Sequence, residues 1–503
     1  MNIAYQNSTD FSFFSGAQEQ LNELISQLQS EDYTESEHGE IEKFINKQGQ
    51  EVLRRLLQGW FDLQASHEEK RAFVKSATGE KLNHVRCDRS RPLNSLFGKV
   101  SVTRTGYNQI KKSSVFPLDG QLNLTANSYS DGIYYRVSNE AIRGSFDDVV
   151  ETVAETTGGY VAKRQSLKIV KDVAQDFESF YQKKRFIKPE ETSDLLVLTF
   201  DGKGIVMRPD GLRECTKKKV QKNKKLKTRL SQGEKKDRKR MAQVAAVYTV
   251  QPHIRTAESI MKIEKDDNVL PFRTPIRNKR VWASVEREAE TVIEEAFQEA
   301  LQRDPEQKRH WVILIDGLPH QIKLIKKVMK RLNVKATLVM DFIHVLEYLW
   351  KAAWCFFDKG DEDVEPWIAK KAVNILKGKC SQVAKGLRIS ATKRKIKDRV
   401  NVDKCADYLL KNKDRLQYGV ALNSGFPIAS GVIEGACRHL INDRLDITGA
   451  RWSLLGAEAI LKLRSLKSSG DFKKYWVFYK RMSKKRNYDF LEFNNFDQHV
   501  SSF

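Results

Sequence analysis

Cysteine is sparse in this chain, and what there is of it is scattered. Cys87, Cys215, Cys355, Cys380, Cys405 and Cys437 are the six cysteines of 503 residues, and no two form a Cys-x-x-Cys pair. That spacing argues against a zinc knuckle and against a disulfide framework, so the thiols are expected to be reduced and mostly structural. Long apolar runs are also missing: no uncharged apolar stretch approaches about 18 residues, which leaves no membrane anchor. The opening MNIAYQNSTDFSFFSG lacks a basic start followed by an apolar stretch, so it does not read as a secretory signal, and a cytoplasmic protein is expected. Internal repeats are absent as well.

What is present is bulk and positive charge. With 40% hydrophobic residues the chain can bury several cores, and its length points to about three domains. Lys and Arg number 88 against 65 Asp and Glu, giving +23. A field of that sign concentrates polyanions, and nucleic acid is the first partner to expect.

From about Gln18 to Arg71 the pattern is helical. Ile41, Ile45, Val52, Leu56, Leu57, Trp60 and Leu63 recur near a 3.6-residue period, predicting one long amphipathic helix that either packs on the next domain or meets a partner helix. Residues 95–110 alternate through Phe97, Val100 and Val102 and read as a small hairpin. Three helices follow between Val137 and Gln182, the second opening at Ser145 as N-cap and stopping at Gly158 and Gly159. These have the proportions of a helix-turn-helix, in which Lys163, Arg164 and Gln165 would open the helix that meets base edges. A three-helix bundle with a solvated basic end has the same pattern.

From Asp194 the character changes. The apolar run LLVLTF ends in Asp201-Gly202, and strands are expected at 241–250, 281–285, 311–316 and 335–341, with a helix between 281–285 and 311–316 and another between 311–316 and 335–341. This is an α/β arrangement with a mixed sheet. Residues 342–420 are helical in pattern, and 428–467 carry a last long helical stretch.

Asp201 and Asp316 are each expected to end an apolar strand and are each followed by Gly. A carboxylate where a strand leaves a sheet projects into the crevice at its edge, although Asp-Gly is also a favoured turn dipeptide. Glu434 lies in SGVIEGACRHLIND, otherwise suited to a buried helix. It would be satisfied either by Arg438 one turn on or by metal. Three acids on two strands and one late helix suit two-metal phosphoryl transfer. Mg²⁺ demands octahedral oxygen ligation and leaves positions for water and phosphate, and two ions about 3.5–4 Å apart stabilise both the attacking and the leaving oxygen. Asp201, on the central strand, would bridge the two ions, with Asp316 and Glu434 holding one each. Mn²⁺ should be accepted in place of Mg²⁺.

The stretches LVLTFDGKGIVMRPDGLRE, GEKKDRKRMAQVAAVYTV, WVILIDGLPHQ, DFIHVLEYLWKAAW and IASGVIEGACRHLINDRLDITGARWS resemble those of the ISKra-type insertion-sequence transposases, a DDE family, from about Pro92 to Trp476. The resemblance implies a multidomain α/β protein whose RNase H-like mixed sheet is split by a helical insertion, with mainly helical N-terminal domains. It implies an enzyme that cuts double-stranded DNA at terminal inverted repeats and joins the 3′-OH ends to target DNA, as a homodimer or larger oligomer at a prokaryotic nucleoid. The domains then read as 1–85, helical; 86–190, hairpin and helix-turn-helix; 191–341, core; 342–425, insertion; 426–480, core; and 481–503, tail. The insertion accounts for the 118 residues that separate Asp316 from Glu434.

In the insertion, Trp350 and Trp354 lie one turn apart, placed either to stack on a flipped base or to fill the insertion's own core. Asp341 and His344 open its first helix. Asp341 reads as an N-cap, and His344 either supports the scissile phosphate region, as in related transposases, or is a buried histidine. Between Lys217 and Arg240 there are 13 basic and 2 acidic residues. Lys217, Lys218, Lys219, Lys224, Lys225, Arg238, Lys239 and Arg240 are read there as backbone contacts to DNA. Arg438 and Arg451 would add contacts near the cut. Two rivals stay open: a nuclease or resolvase without strand transfer, and a DNA-binding protein without catalysis.

Overall fold

The computed structural model describes residues 10–184, 189–222, 238–261, 274–447 and 449–491. The chain divides into two compact units, Met1–Asp176 with Lys473–Phe503, and Phe177–Phe472. No described helix is long and apolar enough to cross a membrane.

In the first unit the N-terminal helical pattern is broken. Ser15–Leu28 and His38–Ser66 are separate helices that pack on each other, with the short helix Glu31–Thr34 between them. On the second of these, Phe61 is buried while Ile45, Leu56 and Trp60 of the predicted stripe stay exposed. Two-residue strands β1 (Val74–Lys75) and β2 (Lys81–Leu82) pair, and β3 (His84–Ser95) pairs antiparallel with β4 (Gly98–Asn108). The expected hairpin at 95–110 is therefore corrected, since β4 alone fills most of that stretch and its partner precedes it. Most of β3 is exposed and it carries Arg86, Asp88, Arg89 and Arg91, so the apolar alternation that marks a half-buried strand is absent from its sequence. Phe61, Leu93, Val100, Val102 and Leu124 form the core between the long helix and the hairpin.

Helices Asp131–Arg143, Phe146–Thr156 and Lys163–Ala174 complete this unit with most of the C-terminal helix Phe472–Tyr488. Ser145 caps the second as expected. Its hydroxyl accepts from the Asp148 amide while Asp148 accepts from the Ser145 amide, satisfying two of the helix's orphan donors.

The second unit is built on one five-stranded sheet, in the order β7-β6-β5-β8-β9. Its strands are β5 (Leu195–Val206), β6 (Lys239–Val250), β7 (Ile276–Ser284), β8 (Trp311–Ile315) and β9 (Thr337–Met340). β5 pairs antiparallel with β6 and β6 with β7, whereas β8 runs parallel to β5 and β9 parallel to β8. β8 is buried throughout, as is the first half of β5, as expected of central strands covered on both faces. Helices Ala289–Arg303 and Pro319–Leu332 connect the later strands, and the latter ends on Asn333 in the left-handed conformation, a frequent helix stop. Beyond β9 the described elements are helical: Phe342–Ala353, Val364–Leu376, Cys380–Lys393, Val400–Lys411 and Tyr418–Asn423, then Gly431–Cys437 and Leu454–Ser468.

Candidate active site at the end of the sheet

Asp201 does not end its strand. It is the seventh of twelve residues of β5, which continues through Gly202–Val206 as a ribbon paired with β6, Asp201 lying opposite Val244. Gly202 is extended, so no turn forms there, and the expectation that this Asp-Gly closes the strand is corrected. β8 stops earlier. Its register pairs Thr199 with Leu314, so continuing two residues sets Asp201 level with Asp316, the residue that follows β8. β9 pairs Met340 with Ile315, which sets Asp341 level with Asp316. By register the three aspartates are thus level with one another, Asp201 within β5 and Asp316 and Asp341 just past the ends of β8 and β9.

Each is held differently. Asp201 Oδ1 accepts from the Gly202 amide (2.6 Å), and Oδ2 accepts from the Cys437 thiol (3.0 Å). Asp316 Oδ1 accepts from the Leu318 amide (3.0 Å), and its carbonyl accepts from the Tyr408 hydroxyl (3.2 Å). Tyr408 stacks on Tyr348, with ring centroids 4.0 Å apart. Between them Gly317 takes a φ of +95°. Asp341 is buried and caps the helix Phe342–Ala353, as the sequence predicts; burial pushes its carboxyl up, against the bonds from Ile343 and Ser430.

Glu434 is exposed in the first turn of Gly431–Cys437, a helix that packs on β5 and β6. Arg438, its expected partner one turn on, reaches Asp443 instead (3.7 Å). Cys437 lies three residues after Glu434 and so on a neighbouring part of the same helix face. Burial, then the Asp201 carboxylate, pushes the Cys437 thiol well above its usual range, so it stays a hydrogen-bond donor. Beyond it, Arg438–Asn442 forms a π-helical turn, a device that often accompanies functional sites. Arg464 donates to the His439 carbonyl in that turn.

An all-carboxylate set is the right donor chemistry for a hard divalent ion. Among the described residues, however, no three His, Cys, Asp or Glu side chains are gathered closely enough to hold one. The acids are level and adjacent but open, and the Cys437 thiol lies on one oxygen of Asp201.

The remaining predicted residues are dispersed. His344 is half-buried with Nδ1 3.6 Å from Glu347. Lys163, Arg164 and Gln165 are exposed in the first turn of their helix, Lys163 paired with Asp147 at 2.6 Å. Lys217 pairs with Glu214 (2.8 Å) on the helix Glu214–Lys222, where Lys218 and Lys219 are exposed. Lys224 and Lys225 lie outside the described residues. Arg238 directly precedes β6, and Lys239 reaches Asp446 (3.4 Å). The Arg240 guanidinium donates to the carbonyls of Gly211, Val285 and Glu286. Trp350 packs beside Trp354, with centroids 5.5 Å apart, in a cluster around Ala353, Val364 and Ile368. Arg451 is exposed next to Trp452, whose backbone bridges Met207 just past β5.

Sequence reasoning missed Cys437, Ser430, Tyr408 and Lys203. Lys203 had a signal: two residues after Asp201 on a strand, it shares that residue's face, and its charge reaches Cys437.

No family model matches the chain, and no curated protein matches it. Among solved structures it is similar to the "Drosophila P element transposase strand transfer complex", at 10% identity over 69% of this chain and 79% of that one, with a TM-score of 0.23. A likeness of that degree carries no weight for fold or activity.

Proposed function

We propose that this protein is a DNA transposase that cleaves phosphodiester bonds at the ends of a mobile element and joins the 3′-OH ends to target DNA. The observation that carries the reading is the register of the parallel strands β5 and β8, by which Asp201 in β5 is level with Asp316 just past β8, with the helix of Glu434 tied to Asp201 through Cys437. A sheet ordered β7-β6-β5-β8-β9, antiparallel on one side of β5 and parallel on the other, supports an RNase H-like core, and the helical stretch 342–423 supports an insertion between its acids.

In this reading Asp201, Asp316 and Glu434 hold two Mg²⁺ or Mn²⁺ ions, which when bound supply charge neutralisation at the scissile phosphate. The chain's own part is positional. β5 and β8 fix the two aspartates, Tyr408 and Gly317 shape the turn after Asp316, and Lys203 adds a positive charge beside Asp201 for a phosphate. His344, half-buried three residues after Asp341, would meet DNA there, together with the exposed Arg438 and Arg451 that follow Glu434 in the chain. Trp350 packs in the insertion's own core, whereas Trp354, 44% exposed, is placed to meet a base.

The test is cleavage and joining of a labelled duplex made from the DNA flanking this reading frame, with Mg²⁺ or Mn²⁺. Asp201→Asn, Asp316→Asn and Glu434→Gln are each expected to bind the duplex and to cut it slower by at least on the order of a hundredfold. One observation favours a second reading, a DNA-binding protein without catalysis: the described acids do not form a closed metal cage. Variants that behave as wild type in every assay would select that reading. Cleavage without joined product would select a nuclease.

A further inference from the structure

Asp341 and Ser430 stand at the two ends of the helical excursion that leaves the sheet after β9 and returns before Glu434. Capping the helix Phe342–Ala353 needs one carboxylate oxygen, and Oδ1 does this, accepting from the Ile343 amide at 2.7 Å. The other oxygen is used 89 residues further on, where Oδ2 accepts from the Ser430 amide (3.0 Å) and from the Ser430 hydroxyl. The neck is stitched twice more: the Phe342 amide donates to the Ile428 carbonyl (2.8 Å), and the buried Tyr418 hydroxyl donates to the Met340 carbonyl (2.9 Å).

Ser430 is the residue on which the Glu434 helix starts. The amides of Ile433 and Glu434 both fold back onto its carbonyl, at 2.9 and 3.2 Å. That helix is seven residues long before it passes into the π turn, too short to hold its own direction in water. It packs on β5 and β6, and within that packing it is tied at one end by Cys437 on Asp201 and at the other by Ser430 on Asp341, two points that help set the direction in which Glu434 projects. Asp341 is fully buried, and a buried carboxylate is tolerated only where donors surround it. Here the donors come from both stems of the excursion.

We infer that Asp341 and Ser430 form a clasp that sets the position of Glu434 relative to Asp201 and Asp316. Both are positioning residues. The inference rests on the reading of Glu434 as a metal carboxylate.

The test uses the full chain and Mn²⁺ itself as the probe, with bound ion read by electron paramagnetic resonance. Amide hydrogen exchange over Gly431–Cys437 is read in parallel. Ser430→Ala is expected to weaken Mn²⁺ binding about tenfold and to speed exchange in that helix, with a lower thermal midpoint because the buried Asp341 carboxylate loses one donor. Ser430→Thr, which keeps the hydroxyl, should restore both. Because the clasp acts through Glu434, Ser430→Ala combined with Glu434→Gln should bind Mn²⁺ no more weakly than Glu434→Gln alone. If Glu434→Gln loses affinity while Ser430→Ala binds as wild type, or if the two losses add, the clasp is overturned and the metal reading stands. If Glu434→Gln binds Mn²⁺ as wild type does, the metal reading fails and takes the clasp with it.

Discussion

Gly317 shows how much of the site depends on single residues. Its φ of +95° lies where a side chain is strained, and a Cβ there would stand 2.5 Å from Met340 Cε and 3.2 Å from the Tyr408 hydroxyl. Gly317→Ala is therefore expected to destabilise the second unit by about 2–4 kcal/mol, from the backbone penalty and overpacking together. It should also slow cleavage, because the turn carries Asp316 and accepts the Tyr408 bond. Urea denaturation and the cleavage assay check it, and a loss under about 0.5 kcal/mol would mean the turn relaxes freely. The three acids of the candidate site stood out in the sequence, since Asp201 and Asp316 follow apolar runs and Glu434 breaks a buried helix pattern. Their supports did not. Ser430, Cys437 and Tyr408 act on partners tens to hundreds of residues away in sequence, and no local period marks a serine that bonds a carboxylate at Asp341 or a thiol that bonds one at Asp201.

At the scale of elements, the central strands and the helices between them were readable because burial on both faces leaves continuous apolar runs such as LLVLTF and WVILI. The length of β5 was not, because beyond Phe200 it loses its β8 neighbour and becomes a half-buried ribbon rich in glycine. β3 was hidden for a similar reason, its charged residues facing solvent. Packing of the helix Ala289–Arg303 against the sheet brings a prediction of its own. Burial pushes the Glu299 carboxyl up, but Arg280 of β7 and Arg303 one turn on outweigh it and hold it at about 2. A carboxyl lowered on folding contributes stability that is fully present above its usual 4.5 and is lost as pH falls through about 2. The contribution is about 3 kcal/mol. Acid titration by circular dichroism should show wild type weakening between those values. Glu299→Gln should be less stable at neutral pH, because Arg280 is left buried and uncompensated, and its stability should vary less over the same acid range. Equal pH profiles for the two proteins would remove Glu299 from the account of acid unfolding.

For the whole molecule the governing quantity is charge. Of the net +23, the stretch Lys217–Arg240 contributes +11, and on the proposed reading, in which that stretch meets DNA and releases counterions, the affinity is expected to fall steeply with salt. The positive residues of that stretch do not act alike, however. Lys218 and Lys219 are exposed on a surface helix, whereas the guanidinium of Arg240 is taken up by three backbone carbonyls that join β6 to the segments around Gly211 and Glu286. Neutralising Lys218 and Lys219 to Gln should therefore lower the slope of log affinity against log salt by about one for each phosphate that is no longer neutralised, with no change in thermal stability. Arg240→Ala should do the reverse: it leaves three carbonyls short of a donor and costs about 1–3 kcal/mol of stability, while the salt slope keeps its wild-type value. Fluorescence anisotropy of a labelled duplex over a salt series, set beside thermal melts of the same proteins, separates the two. A salt slope unchanged by the double lysine variant would place the DNA-binding surface elsewhere on the chain. A slope reduced by Arg240→Ala would mean that DNA competes with the fold for that guanidinium.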